Sequence, residues 1–194
     1  MASSYVGGLS GAFIPLSDRE NHTVQAIFSM PLRRVQLTAA AGWTCFSMHP
    51  EDVERFMRYP GTMVGSDGSA LSIEGPLSGG NPHPRNLGTF ARVLGYYVRE
   101  KGVLRLEDAV RKMTSLPAQT FGIVGRGALQ AGNWADVVLV DLPRVRDATF
   151  EAPKRYAEGM PYVMVNGAWV IRENEFTGRL PGMALRHAAP REGM

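Results

Sequence analysis

Gly61-Thr62-Met63-Val64-Gly65-Ser66-Asp67-Gly68 is a short apolar run that ends on one carboxylate framed by glycines. Thr62–Gly65 reads as a β-strand, with Asp67 at its C-terminal end, where α/β proteins place acids and bases. Residues 68–82 follow as a loop rich in Gly, Ser and Pro, long enough to mark a functional segment. The loop leads into Asn81-Pro82-His83-Pro84-Arg85-Asn86-Leu87-Gly88-Thr89-Phe90, which presents an imidazole and a guanidinium just before a helix. On the residues alone, Asp67 also reads as a strand-end aspartate making an Asx turn. Arg85 likewise reads as a surface arginine in a Pro-rich loop. The prolines on both sides of His83 favour a loop-shaping hydrogen bonder over a metal ligand.

Outward from this run the chain alternates helix and strand signals. Upstream, Pro50 with Glu51 and Asp52 announces a helix. Val53, Phe56 and Met57 form its buried stripe, Tyr59-Pro60-Gly61 ends it, and His49 is a poor residue for its cap. Downstream, Phe90, Val93, Leu94, Tyr97 and Val98 recur at helical spacing, as do Leu106, Ala109, Val110 and Met113. Arg105 stands where a Ser cap is expected. Ser115-Leu116-Pro117 caps a short third helix closed by Gly122. Met57, Met63 and Met113 are expected in the core.

After Gly125 the period changes to that of strands. Ala135–Val140 is one, and Tyr162–Val165 and Ala168–Ile171 flank Asn166-Gly167, a strong hairpin signal. Trp134 and Trp169 read as sheet packing. The first 42 residues say least: Gly7, Gly8, Gly11 and Pro15 interrupt any periodicity, and only Val24–Phe28 and Val35–Leu37 suggest strands.

The chain has 194 residues, enough for one domain or one and a small second. A hydrophobic share of 44% suffices for a core, and 20% charge is too little for a disordered chain. The net charge is +3, carried almost wholly by arginine, since Lys101, Lys112 and Lys154 are the lysines. The basic residues are scattered among acids, so no nucleic-acid partner is expected. Cys45 is the single cysteine, which excludes an internal disulfide and a Cys-rich zinc site. Its apolar setting reads as a buried, inert thiol. No stretch approaches the roughly 20 apolar residues of a membrane span, and the first residues lack a signal pattern. The expectation is a cytoplasmic protein with no membrane partner.

Taken in order and spacing, several segments point to one family. They are Phe46-Ser-Met-His-Pro-Glu-Asp-Val53, Gly65-Ser-Asp-Gly68, Pro82-His-Pro-Arg85 with Gly88-Thr-Phe90, and Arg92-Val-Leu-Gly95. They continue through Ala109-Val-Arg-Lys-Met-Thr-Ser-Leu-Pro-Ala118, Gly132-Asn-Trp-Ala-Asp-Val137, Val165-Asn-Gly167 and Thr177-Gly178. From about Cys45 to Arg186 the chain resembles the C-terminal part of N-acyl-D-amino-acid deacylases, the D-aminoacylase branch of the amidohydrolase superfamily.

The resemblance implies an α/β fold: the last β/α unit or units of a metal-dependent (β/α)8 barrel, left incomplete, followed by part of a small β-sandwich domain. Residues 1–42 stay unassigned, 43–122 are the barrel part, 123–186 the β domain and 187–194 a tail. Asp67 matches the family's catalytic aspartate, which shuttles a proton and helps hold zinc. Arg85 matches the arginine that grips the substrate's α-carboxylate, a task suited to its planar fork. His83 beside it is a further substrate-binding candidate. The implied substrate is a small N-acyl amino acid.

The departures are as informative. The family's His-x-His is absent, and His22, His49, His83 and His187 are isolated. Cys45 lies too close to the last helix–strand unit to be the family's bridging cysteine. A catalytic zinc site takes about three protein ligands. The expected function is therefore the C-terminal part of a zinc-dependent amidohydrolase acting on N-acyl-D-amino acids, inactive as this chain alone. The alternative is a catalytically silent remnant or interaction module, completed by a homo-oligomer or a complementing chain.

Overall fold

A computed structural model describes residues 2–6, 13–16, 43–45 and 48–185. Two compact units, Met1–Phe56 and Met57–Met194, divide the chain. In the first, strands β1 (Ala2–Val6), β2 (Phe13–Leu16) and β3 (Trp43–Cys45) form an antiparallel sheet in the order β2-β1-β3. Pro15 pairs with Ser3 on β2, inside a strand that its presence was expected to interrupt. β2 is an edge strand of this sheet, the kind of strand in which proline is tolerated. The strands expected at 24–28 and 35–37, His22, the Cys45 thiol and the tail from 187, with His187, lie outside the described residues.

Helix α1 (Pro50–Arg58) begins at its proline with Glu51 and Asp52 in the first turn, as its sequence dictates. The carbonyl of His49 accepts the N–H groups of Asp52 and Val53, and its ring Nδ1 takes that of Glu51 at 3.4 Å. The expected stripe is buried only in part: Val53 and Met57 are half-buried, while Phe56 is 60% exposed.

The second unit opens with the segment that was to be a strand. Thr62–Gly65 enters no β-ladder among the described residues. A strand is defined by its neighbours, and here the backbone bond is Val64 N–H to the Lys112 carbonyl, 3.2 Å. Helix α2 (Arg85–Arg92) then runs without a break into a stretch of wider, π-type turns over Val93–Glu100. Its buried face is Gly88, Ala91, Val93, Leu94 and Gly95, while Phe90 is 46% exposed, against expectation. Small residues decide that face. A Cβ on Gly88 would come within 2.9 Å of Asp147 Cβ, and one on Gly95 within 2.9 Å of the Val145 carbonyl oxygen. The segment 145–148 thus lies directly on the helix backbone.

Helix α3 (Leu106–Met113) buries Ala109 and Lys112, not Leu106 or Val110, which are 40% and 43% exposed. Helix α4 (Ser115–Thr120) is closed by Gly122 at φ 63°, and Thr114 rather than Ser115 holds the cap position. The core gathers Ala91, Val93, Leu94, Val103, Leu104, Ala109 and Val145. Met57 and Met113 pack against it as expected, whereas Met63 is only half-buried.

Strands β4 (Val137–Leu139), β5 (Tyr162–Val165), β6 (Ala168–Arg172) and β7 (Glu175–Phe176) form a four-stranded antiparallel sheet in sequence order. The hairpin turns at Asn166-Gly167, with φ of 47° and 78° and Val165 paired to Ala168. Positive φ at both positions is what a type I′ turn demands and what Asn and Gly tolerate. Trp169 meets the edge of Tyr162 with ring centres 5.7 Å apart. Trp134 does not serve the sheet: it is 50% exposed, with the Arg126 guanidinium 5.0 Å over its ring.

Candidate functional site

Asp67 leaves the irregular run 62–66 in the left-handed region, at φ 47°. Aspartate tolerates this conformation better than most residues because its short polar side chain bonds locally. The turn is supported by Ser66, whose Oγ accepts the Gly68 N–H at 3.2 Å. The Asp67 carboxylate then meets Arg85 Nη2 at 3.0 Å. The acid and the guanidinium singled out in the sequence, 18 positions apart by their numbers, are therefore one ion pair. It is open to solvent, with side-chain exposures of 83% for Asp67 and 46% for Arg85. A pair so exposed contributes on the order of 0–1 kcal/mol to stability. Its interest is chemical: a carboxylate and a carboxylate-binding fork share one solvent-facing place.

His83 shapes the loop that carries Arg85. Its Nδ1 accepts the Arg85 backbone N–H at 3.0 Å, and its ring meets Phe150 edge-on at 4.8 Å. Burial pushes the His83 pKa below the ordinary 6.5, and the neighbouring Arg85 and Arg92 push it the same way. The ring is thus neutral at pH 7, as an Nδ1 acceptor must be.

Two residues that the sequence reading passed over hold this site together. Asn86, in the first turn of α2, ties the two ends of the stretch before it: its Oδ1 accepts the Ser69 N–H at 2.6 Å, and its Nδ2 donates to the His83 carbonyl at 2.8 Å. Lys112 is 3% exposed and stands behind the segment leading to Asp67. Its Nζ donates to the Tyr59 carbonyl, to the Thr62 carbonyl at 3.0 Å and to Thr62 Oγ1 at 3.1 Å. Burial first, then Arg111, lowers its pKa, with Asp108 acting in the opposite sense. The sequence signal for Asn86 is its place directly after Arg85. For Lys112 it is a cation one helical step from Ala109.

The chemistry of the donor set bears on a metal. No three His, Cys, Asp or Glu side chains converge among the described residues. Asp67 is a single carboxylate turned onto an arginine. These residues do not by themselves fit a zinc site, and no chemical step below is routed through one. No helix among the described residues is long and apolar enough to cross a membrane.

Comparison with known proteins adds the wider frame. Residues 65–171 match the model of the amidohydrolase family. A D-aminoacylase of Alcaligenes xylosoxydans xylosoxydans is 47% identical over 150 residues, which are 77% of this chain and 30% of that protein. A solved D-aminoacylase, described by the functional role of its binuclear metal center, superposes with a TM-score of 0.72 at 39% identity, covering 94% of this chain and 37% of its own. An N-acyl-D-glutamate deacylase from Bordetella bronchiseptica, solved with zinc and a phosphonate mimic of the tetrahedral intermediate, gives 0.68 at 40% identity, covering 88% and 35%. The chain thus spans about a third of the length of these relatives.

Proposed function

This chain belongs to the amidohydrolase family, and on that premise we propose that it serves the hydrolysis of the amide bond of N-acyl-D-amino acids, as part of a larger site. The observation that carries the reading is the meeting of Asp67 and Arg85 at 3.0 Å on a solvent-facing loop pair. Arg85 grips the substrate's α-carboxylate with two parallel donors. Asp67 takes a proton from the attacking water and returns one to the leaving nitrogen as the C–N bond breaks. The products are a carboxylate and a free amino acid. His83 acts on the substrate only through the position it gives Arg85.

A metal ion would supply activated water, and the described residues here do not by themselves fit one. Amide hydrolysis needs an activated water and a polarised carbonyl as well as proton transfer. We therefore read the 194-residue polypeptide as inactive alone and as the last part of an incomplete barrel. The absence of any ladder along Thr62–Gly65 among the described residues supports this. The same observation supports a second reading, an interaction module that acts by binding a complementing chain or a second copy. We place the protein in the cytoplasm on its single cysteine.

The test is amino-acid release from N-acetyl-D-methionine and N-acetyl-D-glutamate with zinc present. The chain alone should not exceed the blank. Supplied with the N-terminal two-thirds of the Alcaligenes relative, it should restore turnover that Asp67→Asn and Arg85→Ala both abolish. Assembly without turnover favours the interaction module. Turnover by the chain alone, lost in both variants, overturns the incomplete site.

A further inference from the structure

Asp67 and Arg85 stand at the two ends of one irregular stretch, Arg85 being the first residue of α2, and their own contact is too exposed to hold those ends in register. The Asn86 side chain supplies that register. Its carboxamide has one acceptor facing the Asp67 turn and one donor facing the Arg85 loop, and both are used: Ser69 N–H to Oδ1 at 2.6 Å, and Nδ2–H to the His83 carbonyl at 2.8 Å. The Asn86 backbone N–H also donates to that carbonyl, at 3.1 Å. The turn approaches closely here, where residue 68 has no side chain to crowd it. A Cβ there would lie 3.0 Å from Asn86 Cα and 3.3 Å from its Oδ1. No backbone reason requires glycine at 68, since its φ is outside the left-handed region.

We infer that Asn86 is a positioning residue: it clips the Asp67–Gly68–Ser69 turn to the His83–Arg85 loop and so sets the proton-transfer carboxylate and the carboxylate grip at one working distance. This rests on the reading of Arg85 as the grip. No other side chain type of this length offers an uncharged donor and acceptor back to back. Aspartate keeps the acceptor for Ser69 but turns an oxygen onto the His83 carbonyl, and leucine offers neither. The close contact at residue 68 explains a glycine that the turn itself does not need.

The experiment follows binding of N-acetyl-D-methionine to the 194-residue chain by NMR titration, with the thermal midpoint measured in parallel. Asn86→Ala, which removes both side-chain hydrogen bonds, should weaken binding by at least about fivefold, the factor that a single hydrogen bond of ordinary strength corresponds to. Gly68→Ala, which removes no bonding group, should weaken it too. The double variant should bind no more weakly than the worse single one, because both disturb one contact. Thermal midpoints should shift little, which separates positioning from a general loss of structure. Arg85→Ala should abolish binding. If Arg85→Ala binds as wild type does, or wild type does not bind, the grip fails and the inference with it. If Arg85→Ala loses binding while Asn86→Ala and Gly68→Ala keep it, the grip stands and the positioning role falls. Should Asn86→Ala fail to fold, Gly68→Ala alone decides.

Discussion

The helical and sheet halves of the second unit keep their shape by different means. Around α2 and α3 a small apolar core is fully buried, from Ala91 and Val93 to Val145. Long cations reach from the helices to carbonyls of neighbouring loops. Lys112 takes those of Tyr59 and Thr62, and Arg111 that of Pro60. Arg99 takes those of Leu142 and Val145 at 2.8 and 2.7 Å. In the sheet no strand residue is fully buried. There the tie is a polar knot at the hairpin. Arg126, only 10% exposed, pairs with Asp136 and donates to Asn166 Oδ1. Asp136 Oδ1 in turn accepts the Asn166 N–H at 2.8 Å. A sheet without a deep core leans on its turn, and a helical layer with one leans on packing and on what covers its loops. The Asp67–Arg85 site belongs to the helical half, at the end of a segment fastened by Lys112.

That contrast can be broken first at the turn. Asn166-Gly167→Val-Val places β-branched residues at two positive-φ positions, at about 1–2 kcal/mol each, and removes an acceptor from Arg126. A loss of about 3 kcal/mol is expected in denaturant unfolding, and an unchanged midpoint would show that the turn does not hold the sheet. Next comes Lys112→Met, which keeps the apolar stem but removes the donor to the Thr62 carbonyl and one of the donors to the Tyr59 carbonyl. The expected cost is about 2 kcal/mol, with the Asp67 amide resonance shifted in the NMR spectrum. If stability falls and that resonance stays put, Lys112 fastens the core but not the site.

The smallest effect is pH-dependent and local. The folded pKa of His83 lies below 6.5, so the unfolded chain binds its proton more readily. The stability tied to neutral His83 is fully present above about pH 6.5 and is lost as pH falls through the lowered folded value. Protonation also removes Nδ1 as acceptor for the Arg85 N–H. The Arg85 amide should therefore lose protection, measured relative to its intrinsic exchange rate, as pH falls, and His83→Gln should flatten that dependence. Equal pH dependence in the variant would assign the change to another group.

Legibility followed how local the cause was. The Asn166-Gly167 turn, the start of α1 at Pro50 and the stop at Gly122 were readable because each depends on one or two residues' own backbone preferences. The buried faces were misread for Phe56, Phe90 and Val110, because counting apolar residues assumes that the largest go inside. Here Gly88 and Gly95 admit a crossing segment, and Lys112 is drawn in by carbonyls. Both depend on what packs from elsewhere in the chain. The strand at Thr62–Gly65 is readable as a pattern but enters no ladder among the described residues, since pairing belongs to two segments and not one.

The candidates Asp67 and Arg85, the resemblance to the family and the antiparallel hairpin are legible in the sequence by itself, because ordered motifs and local residue types carry them. That the acid and the guanidinium touch, that Asn86 clips their loops, and that Lys112 lies buried behind them was decided only in three dimensions. Each is a meeting of groups far apart along the chain, as Lys112 and Tyr59 are. No local preference selects such a meeting; for Lys112, burial and the demand of enclosed carbonyls for a donor do.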